Sequence, residues 1–554
     1  MIFYSRLTQE SISETNYKHA LNVYDKLKCK SFRDHHMTYL KCDVLLLADV
    51  FENFRKTCYS YYNLDPANYI SAPGLAWDAM LMKTKIELDL IFDPKILDII
   101  ERHKKGGLCF VGSKRHVKAN NHYLEDFDDT KPENYLMYWD ANNLYGWAMS
   151  QPLPYTNISF NTDITLEEIL ATSDDNDVGY IVECDLEYPE EIHDKLKEFP
   201  PCPETLAPTT NMLSEYQKSL KEKGNTGKVA EVGCSKLIPH LMKHENYCIH
   251  YRNLKFVKEL GVKIKVHNVV EFQQKSWLKT YIDFNTDKRK EAKNEFEKDF
   301  FKLMNNAVFG KTMENVKNRI QLHLTTQEDN AIKWFSKINF KNSKSIDNLH
   351  LIEMYKQEII YDKPIYVGNS VLDLSKLHMM NFHYNVIHKE FEGKYNLIYS
   401  DTDSFVYNIE HPDIYQWVSD NKQHFDLSDS LNKDIQDNMN KKVLGMFKDE
   451  LCSMPMKEFT ALNPKVYSFQ GVNENAKKLK GISKVVVKKE ITHNDYNTVL
   501  QTGESIKRDV VGFRSFEHQI YTVKTNKTAL TAYYDKLYMI DNNNCVPYGY
   551  YKNL

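Results

Sequence analysis

Two aspartates stand two residues apart in the run YSDTDS, residues 399–404. Apolar residues precede and follow this run, which predicts two strands joined by a tight turn. Because residues two apart on an extended chain share a face, we expect Asp401 and Asp403 to point at one spot. Paired carboxylates at a rigid strand end supply the oxygen ligands that Mg²⁺ requires. An ordinary polar turn is the alternative interpretation.

Three further motifs accompany this run. Residues 138–146 read YWDANNLYG, residues 302–310 read KLMNNAVFG and residues 465–467 read KVY. Together the four motifs resemble motifs A, B, C and Lys-x-Tyr of the family B DNA polymerases, for which the first three patterns are D-x-x-S-L-Y-P, K-x-x-x-N-S-x-Y-G and Y-x-D-T-D-S. Each motif is weak alone, but their order is specific to the family. The resemblance extends from about residue 17 to the end of the sequence.

The resemblance implies an α+β, multidomain fold shaped like a right hand. We expect a palm with an antiparallel sheet, helical fingers and a small thumb, plus a remnant of an RNase H-like exonuclease domain. The predicted divisions are an exonuclease remnant at 1–60, a connector with a Gly-Gly template-contact region at 61–135, palm with motif A and a priming-type insertion at 136–260, fingers at 261–325, palm with motif C, Lys-x-Tyr and a second insertion at 326–475, and thumb at 476–554.

The same resemblance assigns catalysis to three carboxylates. Asp140 ends a buried-strand pattern, and an acid at a strand end can join Asp403 across a sheet. Asp140 and Asp403 would hold two Mg²⁺ ions, with Mn²⁺ as a substitute, and Asp401 would support them. One ion would lower the pKa of the primer hydroxyl, and the other would stabilise the leaving pyrophosphate.

Motif B is predicted to lie on one helix, with capping residue types at 285–287 and a stop at Gly310. Because each step of four residues turns only about 40° further round a helix, the polar residues of this segment form one slowly winding stripe. A solvated helix face would look the same, but the motif favours contacts with the incoming nucleotide. The residues in this stripe are Lys290, Lys298, Lys302 and Asn306.

Two aromatic residues complete the predicted nucleotide site. The resemblance implies that Phe309 lies near the nascent base pair, beside Asn306. Tyr145 matches the position where the ring packs under the incoming sugar in this family, and its bulk would exclude a ribose 2′-OH. A simple core aromatic is the alternative interpretation of Tyr145.

DNA contacts are predicted at a glycine pair and around motifs C and Lys-x-Tyr. The pair resembles the Tyr-x-Gly-Gly region that contacts the template strand, although Lys104 replaces the tyrosine. Paired glycines let the backbone approach a phosphate closely, and cations at 114–118 would add attraction; a glycine turn with a solvated basic flank is the alternative. The predicted DNA-binding residues are Gly106, Gly107, Tyr399, Ser400, Thr402, Lys465 and Tyr467.

Lys465 is predicted to end a strand, where it would neutralise primer-strand phosphate near the metal ions. Further lysines follow between 477 and 489, and the three valines at 485–487 suggest a strand among them. We expect this region to begin a small thumb with cations facing phosphate.

Near the start of the chain, Tyr39 and Asp43 share one face of an amphipathic helical pattern. They match the Y-x-x-x-D motif of the family's 3′–5′ exonuclease. The residues before Tyr39 contain no D-x-E pair, and one aspartate cannot hold two metal ions. We therefore expect a truncated exonuclease without activity.

The interval between Asp140 and Lys302 exceeds one strand and one helix, and includes the proline-rich turn FPPCP at 199–203. In the protein-primed branch of the family, an insertion here embraces a terminal protein and the template. The predicted function is DNA-templated DNA synthesis from deoxynucleoside triphosphates on a template-primer, primed by a terminal protein, in replication of a linear or transposable DNA element. A nucleic-acid-primed family B enzyme and a non-catalytic nucleic-acid-binding remnant are the alternatives.

Composition is compatible with these predictions. The chain has 554 residues, 42% hydrophobic residues and a net charge of −4, so any DNA channel must be locally rather than globally basic. No apolar run is long enough to span a membrane, and we expect a soluble, intracellular monomer. The ten cysteines include no C-x-x-C pair, which argues against a zinc site and favours reduced thiols.

Overall fold

The computed structural model describes residues 3–102, 104–223, 234–516 and 519–553. It combines helices with antiparallel sheets, as the α+β prediction requires. The central sheet has five strands, and every neighbouring pair in it is antiparallel. In spatial order these strands are Phe447–Asp449, Asn134–Ala141, Ser404–Glu410, Tyr395–Asp401 and Cys109–Val111.

Three further sheets surround the central one. The second sheet contains, in order, His244–His250, Val178–Glu187, Lys263–Lys275 and Leu153–Phe160. The third contains Ile320–Thr325, Leu349–Tyr355 and Phe340–Ile346, and the fourth contains Asn475–Leu479, Val466–Gly471, Met456–Asn463 and His116–Lys118. Two-stranded pairs join Tyr4–Ser5 to Glu10–Ser11, Glu204–Leu206 to Lys236–Ile238, Ile506–Phe516 to Gln519–Leu530, and Tyr538–Met539 to Cys545–Val546.

Helices pack around these sheets. The first half of the chain has Glu14–Lys26, Phe32–Tyr62, Ala72–Thr84, Pro94–Arg102, Leu144–Met149, Leu166–Ala171, Glu190–Leu196, Glu215–Glu222 and Tyr251–Glu259. The second half has Lys279–Glu291, Glu295–Thr312, Glu328–Phe335, Ile365–Asn381, Lys389–Phe391, Ile414–Asp420, Lys484–Glu490 and His493–Thr502. No helix in the described part of the chain is both long and apolar enough to cross a membrane.

One hydrophobic core joins the central, second and fourth sheets, whereas the third sheet packs its own small core around Ala331, Ile352 and Met354. Lys263–Lys275 pairs with Val178–Glu187 along its length. This pairing continues the second sheet past residue 260. The predicted domain boundaries stay predictions.

The predicted motif B helix is two helices. Lys279–Glu291 ends before Glu295–Thr312 begins, and the side chain of Asn294 caps the second helix by accepting from the Glu297 N–H. Residues 285–287 therefore lie inside the first helix rather than at a start. Gly310 lies inside the second helix and does not end it, because a single glycine near a helix end weakens the helix without stopping it.

Two strand predictions in the basic region are also wrong. Residues 485–487 belong to the helix Lys484–Glu490. Lys465 lies in the turn between Met456–Asn463 and Val466–Gly471, with a left-handed φ of 62°. By composition, three adjacent valines fit a strand as well as a helix. The sequence pattern alone therefore could not distinguish a strand from a helix at residues 485–487.

Candidate functional site

The central sheet brings the aspartates of motifs A and C together. Asp140 lies next to last in Asn134–Ala141, directly opposite Ser404 in the neighbouring strand. The N–H of Ala141 donates to the carbonyl of Asp403 over 2.7 Å. Both residues line one cleft, as expected for an acid at a strand end that joins Asp403 across a sheet.

Asp401 does not share that cleft. The backbone of Thr402 is left-handed, with φ of 63°, so residues 401–403 are not the continuous extended chain on which a shared face depends. The Asp401 carboxylate instead lies 3.0 Å from the Lys465 ammonium, in a neighbouring cleft. The prediction that Asp401 and Asp403 point at one spot is therefore wrong.

Burial and mutual repulsion disfavour the state in which Asp140 and Asp403 are both ionised. Burial raises the pKa of Asp140 to about 8, and the charges of Asp403 and Glu450 add to the rise, while Lys302 and Lys448 oppose it. Burial likewise raises the pKa of Asp403, assisted by Asp401 and Glu450. A bound divalent cation would relieve both costs, and carboxylate oxygens are the donors that hard cations prefer.

Glu450, which the motifs did not indicate, lies close enough for its charge to raise the pKa of both aspartates. It follows the edge strand Phe447–Asp449, in which Lys448 lies opposite Asp140. Its N–H donates to the carbonyl of Tyr138 over 2.9 Å. The sequence carried no short-range signal for it, because this edge strand joins the sheet from outside the four motifs.

The cations of the cleft differ partly from the predicted set. Lys302 lines the cleft beside Asp140, together with Arg289, which was not predicted. Lys290 lines only the adjoining cavity, which Arg289 and Lys302 share. Lys298 lines neither cavity and pairs with Glu295 over 2.6 Å. The break between the two helices interrupts the predicted stripe and brings Arg289 to the cleft.

Aromatic residues cover one side of the same cleft. The rings of Tyr145 and Phe309 stack with centroids 4.5 Å apart. Asn306 lines the cleft, and its buried Oδ1 has no hydrogen-bond partner in the structure. Tyr145 follows Asn143, which has a left-handed φ of 44°, and a Cβ on Gly146 would meet the Asn143 side chain at 2.3 Å. Glycine therefore fits where the family pattern has proline.

A family described as DNA polymerase type B, organellar and viral, matches residues 2–388. The chain belongs to the type B DNA polymerases. No curated protein sequence matches this polymerase at a significant level.

The orthorhombic phi29 DNA polymerase structure agrees with this assignment at the level of fold. Phi29 DNA polymerase in an orthorhombic crystal form has 14% identity and a TM-score of 0.51 over 83% of this chain and 68% of that chain. Its ternary complex with primer-template DNA and incoming nucleotide has 16% identity and a TM-score of 0.48 with the same coverage. The family B polymerase of the archaeon Pyrobaculum calidifontis has 12% identity and a TM-score of 0.29 over 88% and 47% of the chains. The predicted right-hand polymerase fold is confirmed.

In this polymerase the predicted DNA contacts at Tyr399 and Ser400 are interior residues. Tyr399 is fully buried, and Ser400 is 2% exposed. The Tyr399 hydroxyl accepts the N–H of Lys465 over 2.9 Å, and its ring lies 4.9 Å from that of Tyr467. Tyr399 and Ser400 therefore cannot contact DNA directly in this structure, and Tyr399 positions the turn that carries Lys465.

The turn at Lys465 borders a lysine-rich cleft, which we call the basic cleft. Tyr467 is also buried and lines the inner wall of the basic cleft. Its hydroxyl and that of Tyr138 share a hydrogen bond of 3.1 Å. Burial lowers the pKa of Lys465, but the hydrogen bond and the charge of Asp401, with smaller contributions from Cys109 and Asp403, together raise the pKa above its ordinary value. The remaining cations of the basic cleft are Lys477, Lys478, Lys480, Lys484 and Lys488.

The glycine pair has two different roles in packing. A Cβ on Gly107 would meet the Thr402 side chain at 2.3 Å, whereas a Cβ on Gly106 would meet nothing within 4 Å. Gly107 is thus needed for close packing against the turn between Asp401 and Asp403. Gly106 is exposed, and its contact with DNA stays a prediction. Arg115, predicted among the flanking cations, is fully buried and donates to the carbonyls of Leu462 and Ala532.

Tyr39 and Asp43 lie on the long helix Phe32–Tyr62, as the pattern predicted. Both residues are exposed, and Tyr39 keeps 62% of its surface accessible. Within the described ranges, Asp43 belongs to no group of three or more side chains that could hold one metal ion.

The raised pKa of Asp140 predicts a pH dependence of stability in the metal-free protein. The unfolded carboxyl titrates near 3.8 and the folded one near 8, so the folded state binds more protons between these values and loses stability as pH rises. In EDTA, the melting temperature of Asp140→Asn should therefore rise relative to that of wild type as the pH increases from about 5 to about 9. Thermal unfolding across this range tests the prediction, and a difference that does not change with pH would contradict it.

Proposed function

We propose that this chain is a DNA-templated DNA polymerase that adds deoxynucleotides by two-metal phosphoryl transfer. The observation that carries the proposal is the meeting of Asp140 and Asp403 in one cleft with Lys302 and Arg289. Two desolvated carboxylates opposite two cations can hold an ion and a triphosphate side by side. The family assignment supports the same reaction class.

The residues of the cleft fit divalent ions, because Asp140 and Asp403 offer oxygen ligands and repel each other without a cation. Bound Mg²⁺, or Mn²⁺ in its place, would lower the pKa of a primer hydroxyl and stabilise charge on the leaving pyrophosphate. Lys302 and Arg289 would neutralise triphosphate oxygens, with Lys290 extending the positive field into the adjoining cavity. This contribution is electrostatic and preorganised, since both helices pack against the core.

The basic cleft fits the phosphate backbone of a template-primer. Its lysines line the same cleft as Lys465, and Lys465 pairs with Asp401 next to the turn at Thr402. We infer that Asp401 acts through Lys465, by holding this cation beside the primer strand. Thr402 lines the cleft of Asp140 and Asp403, which we call the aspartate cleft. It stays a candidate for contact with DNA or nucleotide.

Removal of the acids should separate these roles. Asp140→Asn and Asp403→Asn should each reduce primer extension by about 1,000-fold or more, because loss of a metal ligand costs several kcal/mol at the transition state. Asp401→Asn should reduce primer extension only about tenfold, since the partner of Asp401 is a lysine rather than a metal ion. Gel extension assays give the rates, and retained affinity for template-primer is the control. Extension near the wild-type rate by either of the first two variants would refute the assignment.

Tyr145 is proposed to select against ribonucleotides. Tyr145→Val should increase incorporation of ribonucleotides relative to deoxynucleotides, because the ring that stacks on Phe309 no longer fills the space of a 2′-OH. Tyr145→Phe keeps the ring and should keep the discrimination. Competition between the two nucleotide types in single-nucleotide extension measures the ratio, and equal ratios in all three proteins would assign Tyr145 to the core alone.

We propose that this chain has no 3′–5′ exonuclease activity, because Asp43 has no cluster of carboxylates around it in the described residues. Labelled single-stranded DNA with Mg²⁺ should remain intact. Degradation that is lost on Asp43→Ala would contradict the proposal.

Protein priming is proposed from the segment between Asp140 and Lys302. This segment is not a removable appendage, because Val178–Glu187 is an inner strand of the second sheet and its apolar residues belong to the main core. If the segment embraces a terminal protein, a labelled deoxynucleotide should be transferred to a hydroxyl of a cognate terminal protein encoded by the same element. Transfer only to a DNA primer would favour a nucleic-acid-primed enzyme, and transfer to neither acceptor would favour a non-catalytic binding protein.

A further inference from the structure

A second cluster of metal-binding side chains lies in the segment between motifs A and B. Glu204, His240 and His244 each offer one ligand atom, and these atoms lie within 4.8 Å of one another. This is the one such group of three or more in the described residues, 3–102, 104–223, 234–516 and 519–553. The absence of C-x-x-C pairs does not bear on it, because its donors are histidines and a carboxylate.

Three separate pieces of backbone hold the cluster together. Glu204 begins the strand Glu204–Leu206, which pairs with Lys236–Ile238, and His240 follows that partner strand by two residues. His244 begins the strand His244–His250 and pairs with Leu186 in the second sheet. The two imidazole rings stack with centroids 4.3 Å apart and an interplanar angle of 12°, and His240 Nε2 lies 3.3 Å from Glu204 Oε2.

The histidines present unused nitrogens to the interior. His244 Nε2 lies 2.8 Å from the carbonyl of Cys202, so this nitrogen is the donor and Nδ1 keeps its lone pair. The Nδ1 atoms of His240 and His244 are buried and have no hydrogen-bond partner in the structure, and both side chains are fully buried. A ring nitrogen held by a backbone carbonyl, with the other left free, is the arrangement typical of metal-ligating histidines.

We propose that Glu204, His240 and His244 bind a divalent transition-metal ion, with Zn²⁺ as the preferred ion. Imidazole nitrogens suit Zn²⁺ better than they suit Mg²⁺, which takes oxygen ligands. Glu204 keeps 36% of its side chain exposed, which leaves one side of the site accessible to the ion and to a water ligand.

The ion would act as a clamp rather than as a reagent. Glu204 directly follows the turn at 199–203, and the residues of this turn line a cavity together with Tyr145, Gly107 and Thr402. A metal bond to Glu204 would fix the end of this turn to the second sheet through His244. The site therefore links the segment between motifs A and B to the wall behind the nucleotide cleft.

Zinc stoichiometry tests this proposal in the full-length chain without a polyhistidine tag. The protein is stripped with a chelator, returned to Zn²⁺ in the presence of millimolar Mg²⁺ to occupy the aspartate cleft, desalted, and analysed by mass spectrometry for metals. We expect one tightly held zinc ion per chain. A folded wild-type protein that retains none would overturn the proposal.

Matched variants locate the ion. Glu204→Gln, at the exposed edge of the cluster, should weaken Zn²⁺ binding by more than about 100-fold, since loss of a ligand exceeds the ~10–100-fold effect of an outer-shell change. His244→Gln should do the same. His250→Gln is the control, because His250 is equally buried with an unpartnered Nε2 but lies outside the cluster. Circular dichroism establishes that each variant is folded, and zinc retained by folded Glu204→Gln at wild-type affinity would overturn the proposal.

Discussion

The site depends on one constraint, the register between the strand that carries Asp140 and the hairpin that carries Asp403. Antiparallel pairing sets Ser404 opposite Asp140, and the Ala141 N–H fixes the Asp403 carbonyl. A shift of one residue would turn Asp140 to the opposite face of the sheet. The apolar residues of both strands bury against the main core, so the hydrophobic pattern that folds the sheet also holds two carboxylates at a separation that they would not adopt freely.

The left-handed turn at Thr402 divides the charges of motif C between two clefts. Asp403 joins Asp140, where burial and repulsion favour a divalent cation. Asp401 turns to Lys465, where the ion pair orients a cation toward the basic cleft. Gly107 packs against this turn so closely that a methyl group would collide with Thr402. One backbone conformation at Thr402 thus separates Asp403, the proposed metal ligand, from Asp401, the proposed partner of a phosphate-binding lysine, and Gly107 packs against this turn.

Sequence reasoning was most successful where a motif coincides with a secondary-structure element. The strand–turn–strand of motif C and the strand end at Asp140 follow from local pattern. The break at residues 292–294 does not, because the polar spacing continues across it. The pattern therefore omitted Arg289, which lines the cleft, and included Lys298, which does not line it. Glu450 and the Glu204–His240–His244 cluster were missed because long-range strand pairing assembles them. Neither has a spacing that could be recognised in sequence.

The central claim is that Asp140 and Asp403, and not Asp401, hold the catalytic ions. Crystals of the protein with primer-template DNA, Mn²⁺ and a non-hydrolysable deoxynucleoside triphosphate would test it through the anomalous scattering of manganese. The account predicts anomalous peaks bonded to the carboxylates of Asp140 and Asp403, with Arg289 and Lys302 on the triphosphate and Lys465 still paired with Asp401. Manganese bonded to Asp401 in place of Asp403, or peaks remote from Asp140, would contradict it.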